Sequence, residues 1–193
     1  TQADYENVAY RMPAKFGSIK RCSVQRDPDS AKRNLNMYVI SEDNFGKLTT
    51  TNSTIKNNLK TWLNQYRMIN DTIDILDPFV INLGIEFQIR PKANVDKYTL
   101  LDAAIAALAA DFDTTLYIGE ALYISDIYSR LNAVDGVLDV TKVKITNKTS
   151  GQYASTVFDV NSNLSPDGSY LIAPANCIFE IKYPAVDIKG KIK

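Results

Sequence analysis

Few side chains in this sequence could carry chemistry. The 193 residues include no histidine, so the commonest general base and the commonest metal ligand are both missing. The two thiols, Cys22 and Cys177, lie far apart and form neither a CxxC pair nor a zinc ligand set. Without histidine there is no Ser-His or Cys-His couple, and no GxGxxG, Walker, HExxH or nucleophile-elbow string occurs. Carboxylates are what remains. Glu86 lies with Asn82 on a strand-like run, and Asp111 and Asp113 flank Phe112 at a helix end. Two carboxylates do acid–base work only when they face a shared cleft. Nothing in the spacing brings two of these together, so capping or solvated roles are expected for the aspartates. Asp71-Thr72-Ile73-Asp74 lacks the ligand count of a calcium loop. No catalytic residue, cofactor or metal is expected.

Composition sets the class of molecule. At 45% hydrophobic and 23% charged, the chain has the makeup of a globular protein that can bury a core. Its 22 basic and 22 acidic side chains cancel, which argues against a nucleic-acid partner. No basic-aromatic RNA-recognition string accompanies the strands. The longest purely apolar run, Ala103 to Ala110, is eight residues against about 20 for a membrane helix, so no membrane insertion is expected. No signal-peptide pattern opens the chain, and two lone cysteines fit a reducing compartment better than a disulfide framework. The sequons at Asn52, Asn70 and Asn147 then read as chance matches. The opening Thr1-Gln2-Ala3, without methionine, is what a fragment or processed piece would show.

Charge is segregated along the chain. Residues 11–33 hold seven basic side chains against two acidic, and residues 96–139 hold eight acidic against two basic. The tail carries Lys182, Lys189, Lys191 and Lys193 against Asp187. Opposed patches can set register between subunits. Solvated faces that happen to segregate fit the same pattern.

The periodicities predict the elements that must position these residues. Asp4 to Arg11 reads as a helical fragment ended by Pro13. Ser18–Arg26 and Leu35–Ser41 read as a hairpin around the turn cluster Asp27-Pro28-Asp29-Ser30. A helix capped by Asn52 or Ser53 carries Ile55, Leu59, Trp62, Leu63 and Tyr66 on one face, which makes Trp62 a core anchor. From Phe79 to Ile89 every second residue is apolar, with Asn82, Glu86 and Gln88 between, as in a strand covered on one side. Gly84 inside it marks a bulge or a close approach, and Pro91 stops it. The helix Asp96–Phe112 carries Leu100, Leu101, Ala104, Ile105, Leu108 and Phe112 on one stripe. Its reverse side is Ala103, Ala106, Ala107 and Ala110. That reverse side reads either as a second buried face or as alanine chosen for helix propensity. A third helix, Ala121–Val134, stops at Gly136. Strands follow at Val137–Ile145, Thr156–Val160, Tyr170–Ala173 and Cys177–Tyr183, with a turn at Ser165-Pro166-Asp167-Gly168.

This order looks like a ferredoxin-like α+β fold over residues 1–146: an antiparallel sheet with helices on one face, followed by a β-rich C-terminal extension over 147–193. Several strings add a resemblance. They are Phe16-Gly17-Ser18-Ile19, Met37-Tyr38-Val39-Ile40 with Gly46, Leu59 to Met68, the strand entry Asp77-Pro78, Phe87 to Leu108, and Ile127 to Val137 closing in Val134-Asp135-Gly136-Val137. Together they resemble the Baseplate-J-like family of contractile-tailed bacteriophages, in its C-terminal part, over residues 4–146. The resemblance implies a structural component of the tail baseplate wedge, located in the virion and assembled in the host cytoplasm. It also implies association with itself, as a dimer, and with other wedge proteins that link the baseplate to sheath and tube contraction. It carries over no catalytic residue.

The expected mechanism is therefore burial of complementary surface. The contact regions expected are the alanine side Ala103, Ala106, Ala107 and Ala110 and the C-terminal strands, with Tyr183 and Ile188. The alternative is a small-ligand-binding or enzymatic ferredoxin-like domain using Glu86 and Asn82, which needs a concave pocket with convergent polar groups. A generic adhesion or coat module would differ only in its partner.

Overall fold

A computed structural model describes residues 1–28, 34–112 and 116–193. The α+β class read from the sequence holds. Contacts divide the chain into two compact units, Thr1–Phe79 with Tyr117–Gly119, and Val80–Leu116 with Glu120–Lys193.

The first unit opens with helix α1 (Gln2–Tyr10), closed at its start by a Thr1–Asp4 capping box. Strands β1 (Arg21–Arg26) and β2 (Asn34–Glu42) form the expected antiparallel hairpin, with Arg21 opposite Ile40. Two elements were not expected. Strand β3 (Leu48–Thr50) folds back antiparallel on the end of β2, and β4 (Thr72–Leu76) runs parallel to its start. Helix α2 (Ser53–Leu63) joins them, with Asn52 Oδ1 accepting the Thr54 amide as its cap. Leu59 and Leu63 are buried, as their spacing predicts. Trp62 is partly buried and donates its indole N–H to the Val8 carbonyl at 2.9 Å, while Tyr66 lies exposed beyond the helix end. The outer edge of β1 is closed by side chains of α1: the Val24 amide donates to Glu6 Oε1 at 2.8 Å and the Cys22 amide to Tyr10 Oη at 2.8 Å. Glu6 and Tyr10 are one helical turn apart, so a single helix face occupies backbone donors that would otherwise recruit a foreign strand. The turn cluster expected at 27–30 lies partly outside the described residues.

The second unit is built on β5 (Phe79–Pro91). Ile81, Leu83, Ile85, Phe87 and Ile89 are all buried, as the alternation requires, whereas Phe79 at the strand entry is exposed. Helix α3 (Lys97–Phe112) follows, then β6 (Leu122–Tyr123), α4 (Ile124–Asn132) and β7 (Val137–Lys148). Strand β7 pairs antiparallel with β5. The 146/147 boundary expected from composition falls inside β7. The chain beyond it contributes β8 (Tyr170–Leu171), β9 (Cys177–Glu180), the single helical turn α5 (Pro184–Asp187) and β10 (Ile188–Ile192). Strand β9 pairs with β5, and β10 joins β5 in parallel, Ile188 opposite Ile85. Each larger sheet thus contains a parallel pair, β2 with β4 and β5 with β10, beside the antiparallel pairing expected.

The segment 156–160 corrects the sequence reading. Thr156, Phe158 and Val160 do turn inward while Val157 and Asp159 turn out, but no ladder forms there. Side chains hold it instead. Ala154 N–H donates to Asn82 Oδ1 at 2.7 Å, Phe158 N–H donates to Asn147 Oδ1 at 3.0 Å, and the Phe158 ring meets Phe179 edge-on at 5.5 Å. Period-2 burial therefore arose without strand pairing.

Candidate assembly surface

Helix α3 is positioned from both ends. Asp96 caps it, accepting the Thr99 amide at 2.8 Å and the Thr99 hydroxyl at 2.6 Å; these bonds hold the Asp96 carboxyl below the usual carboxylate range. At its inner face Gly190 of β10 admits the helix. A Cβ there would stand 2.4 Å from Leu101 Cδ1 and 2.5 Å from Phe87 Cζ, so only glycine permits this approach. Leu100, Ala104 and Leu108 are buried against the sheet. On the reverse, Ala103, Ala106 and Ala110 are exposed and Ala107 is partly buried. The helix thus presents a shallow surface without charges at those positions, which lets a second surface approach closely.

The C-terminal candidates divide. Tyr183 is partly buried; its amide donates to Asp187 Oδ2 at 2.9 Å and its ring meets Tyr153 edge-on. Ile188 is 1% exposed and lies in this chain's own core, on β10 beside Ile85 of β5, so its side chain is not on the surface where the sequence reading put it. The lysines of the tail are also placed by the fold. Lys189 and Lys191 are exposed on β10, and β10 and most of the acid-rich stretch 96–139 belong to the second unit, so part of the charge opposition seen in sequence lies within one unit.

Each residue considered for chemistry has a position that explains it. Asn82 is 1% exposed; its amide donates to Glu180 Oε2 at 2.7 Å and its carbonyl accepts Ala154 N–H, while Asn147 bonds the Asn82 main-chain carbonyl. It ties three segments together. This corrects the expected wet face of β5, which at Asn82 and Gly84 is covered. Glu86, further along the same face of β5, is exposed. Asp111 pairs with Arg130 at the edge of a groove of about 590 Å³ floored by Leu108, Phe112, Leu122 and Ile127. Asp113 lies outside the described residues. Both cysteines are buried and free, and burial pushes the Cys22 thiol up to about 12, and the Cys177 thiol up as well. Among the described residues no group of three His, Cys, Asp or Glu converges on a point. No helix there is long and apolar enough to cross a membrane.

Two features escaped the sequence reading. The turns Asp43-Asn44-Phe45-Gly46 and Met68-Ile69-Asn70-Asp71 present Phe45 and Ile69 almost wholly to solvent. The readable signal was a large apolar residue inside a string of turn formers.

No family profile and no curated protein matches the sequence. Among solved structures, the fold is similar to a chain of the anti-feeding prophage baseplate, determined by cryo-EM and symmetrised 6-fold. The TM-score is 0.56 at 12% sequence identity, over 93% of this chain and 37% of that one. What the two share is a fold. The present chain spans little more than a third of the baseplate chain's length.

Proposed function

We propose that this chain is a structural component of the baseplate of a contractile, phage-like particle, part of its wedge, and that it works by assembly rather than catalysis. The observation that carries this reading is the fold likeness to a baseplate chain over nearly the whole of this sequence. The sequence strings that resemble the Baseplate-J-like family point the same way. Its partners are then other baseplate proteins and further copies of itself, and its place is the tail of the particle. The exposed alanines on the outer side of α3 support the reading, since a stable contact of this kind buries about 1,200–2,000 Å² in all and small side chains let two surfaces pack closely. The test is co-purification. Tagged chain expressed in particle-producing cells should migrate with intact particles through a density gradient and be detected at one tail end by gold labelling. Tag found solely in the soluble fraction would remove the proposal.

A further inference from the structure

The sheet of the first unit is closed on one side and open on the other. On the closed side, Glu6 and Tyr10 of α1 occupy the outward amides of β1. On the other side stands β4, and its backbone directions follow from the bonds of its neighbours. The Asp27 amide donates to the Asn34 carbonyl, so Asn34, Asn36 and Tyr38 turn their backbone groups toward β1. Leu35 and Met37 alternate with them and turn theirs toward β4. In a parallel pair such residues bond the neighbours of their partners Ile73 and Ile75, which are Thr72, Asp74 and Leu76. The N–H and C=O groups of Ile73 and Ile75 therefore face out of the sheet. Among the described residues none of these groups has a hydrogen-bond partner. A row of such groups is a template for one more strand.

A groove runs along this open edge. Two hollows of about 360 and 230 Å³ lie between β4 and α2 and share Lys60, Asp74 and Ile75. Their charged lining is mainly basic: Lys56, Lys60 and Arg67 against one carboxylate, Asp74. Asp74 accepts Asn34 Nδ2 at 3.0 Å, Lys56 pairs with Asp77 at 2.6 Å, and Arg67 gives one of its donors to the Asp71 carbonyl at 2.9 Å. Lys60 is exposed and has no carboxylate partner among the described residues. A strand laid on β4 sends every second side chain toward α2, where acidic side chains meet Lys60 and Arg67. Nucleic acids and lipid headgroups carry the matching charge but no peptide ladder for Ile73 and Ile75. A protein strand carries both.

We infer that the open edge of β4 is a strand-addition site. Its occupant is an extended acidic segment of a partner protein, which adds a fifth strand to this four-stranded sheet and sets its carboxylates against Lys60 and Arg67. Main-chain bonds to Ile73 and Ile75 supply the affinity, and the basic rim selects the partner. The test adds a capped peptide of alternating Val and Glu, about eight residues long, to the isotope-labelled full chain at pH 7 and reads amide hydrogen exchange by nuclear magnetic resonance. In the free chain the Ile73 and Ile75 amides should exchange at least ten-fold faster than those of Asp74 and Leu76, which are bonded inside the sheet. Saturating peptide should slow Ile73 and Ile75 at least ten-fold. The same peptide N-methylated at every residue, or one of alternating Val and Lys, should leave them fast. Lys60→Glu, which should melt within about 2 °C of wild type, should raise the acidic peptide concentration needed at least three-fold, and Lys60→Arg should not. Slow exchange of Ile73 and Ile75 in the free chain overturns the open edge. Unchanged exchange at saturating acidic peptide overturns strand addition, as does equal protection by the methylated peptide. Equal protection by the lysine peptide, or an unaltered Lys60→Glu, overturns the acidic partner. Each of these results leaves the baseplate reading standing.

Discussion

Replacing Asn82 by alanine separates two roles for that residue, because a ligand-binding or catalytic Asn82 would be dispensable for folding and a tethering one is not. The native side chain makes two short bonds inside a closed site, to Glu180 Oε2 and from the Ala154 amide, both at 2.7 Å. Truncation leaves the Ala154 amide without its acceptor, at about 1–3 kcal/mol, and deletes the bond to Glu180, worth another ~1 kcal/mol. A loss of roughly 2–4 kcal/mol is expected. Urea unfolding followed by far-ultraviolet circular dichroism reads this as a midpoint lower by about 1–2 M, with the slope unchanged. Trp62, the single tryptophan, belongs to the first unit, so its fluorescence should move less than the dichroism. Asn82→Asp sharpens the test. The new carboxylate can still accept from Ala154 but puts an acceptor against Glu180 where Asn82 placed a donor, so this variant should be no more stable than Asn82→Ala at pH 7. A change below about 0.5 kcal/mol for Asn82→Ala would refute the tether.

Four further outcomes follow from the same contacts. Gly190→Ala forces a methyl against Leu101 and Phe87 and should cost about 1–3 kcal/mol, seen as a melting temperature lower by roughly 5–15 °C; an unchanged melt would mean α3 does not lie this close to β10. The Tyr153 hydroxyl donates to Asp187 Oδ1 at 2.6 Å, and that bond, with some burial, holds the phenol up to about 12. A raised folded pKa gives stability that is complete below the free tyrosine value of about 10 and declines as pH rises from there to about 12, a decline that Tyr153→Phe should abolish in alkaline titration. Cys22, with its thiol pushed up to about 12 under burial, should resist iodoacetamide at pH 8 until the chain unfolds, and rapid native labelling by mass spectrometry would contradict its placement. Ala107→Glu should leave circular dichroism and melting essentially intact yet reduce incorporation into particles; unfolding would instead identify that side of α3 as core.

How far the sequence could be read depends on where the deciding interactions lie. The alternation of β5 and the stripes of α2 and α3 are local signals, and Leu59, Leu63, Leu100, Ala104 and Leu108 are buried accordingly. Strands β4 and β10 were missed because their pairing is parallel and distant in sequence, and because Asp74 in one and Lys189-Gly190-Lys191 in the other dilute the apolar pattern. The stretch 156–160 has the right period for a strand, yet Phe158 within it and Ala154 just before it donate to the Asn147 and Asn82 side chains, which no propensity encodes. Among the expected contact residues, the exposed alanines followed from the helical period alone. Ile188 did not, since its burial is decided by β5, a hundred residues earlier. Phe45 and Ile69 were passed over for the converse reason: despite the turn formers around them, an apolar residue reads as core until the fold leaves it outside.

The most direct measurement is the copy number of this chain in purified, intact particles, by mass spectrometry with isotope-labelled peptides. A baseplate component of a particle with the 6-fold symmetry of the similar structure should be present at six copies or a multiple of six. Its absence from particles, or a copy number unrelated to six, would contradict a structural place in the baseplate.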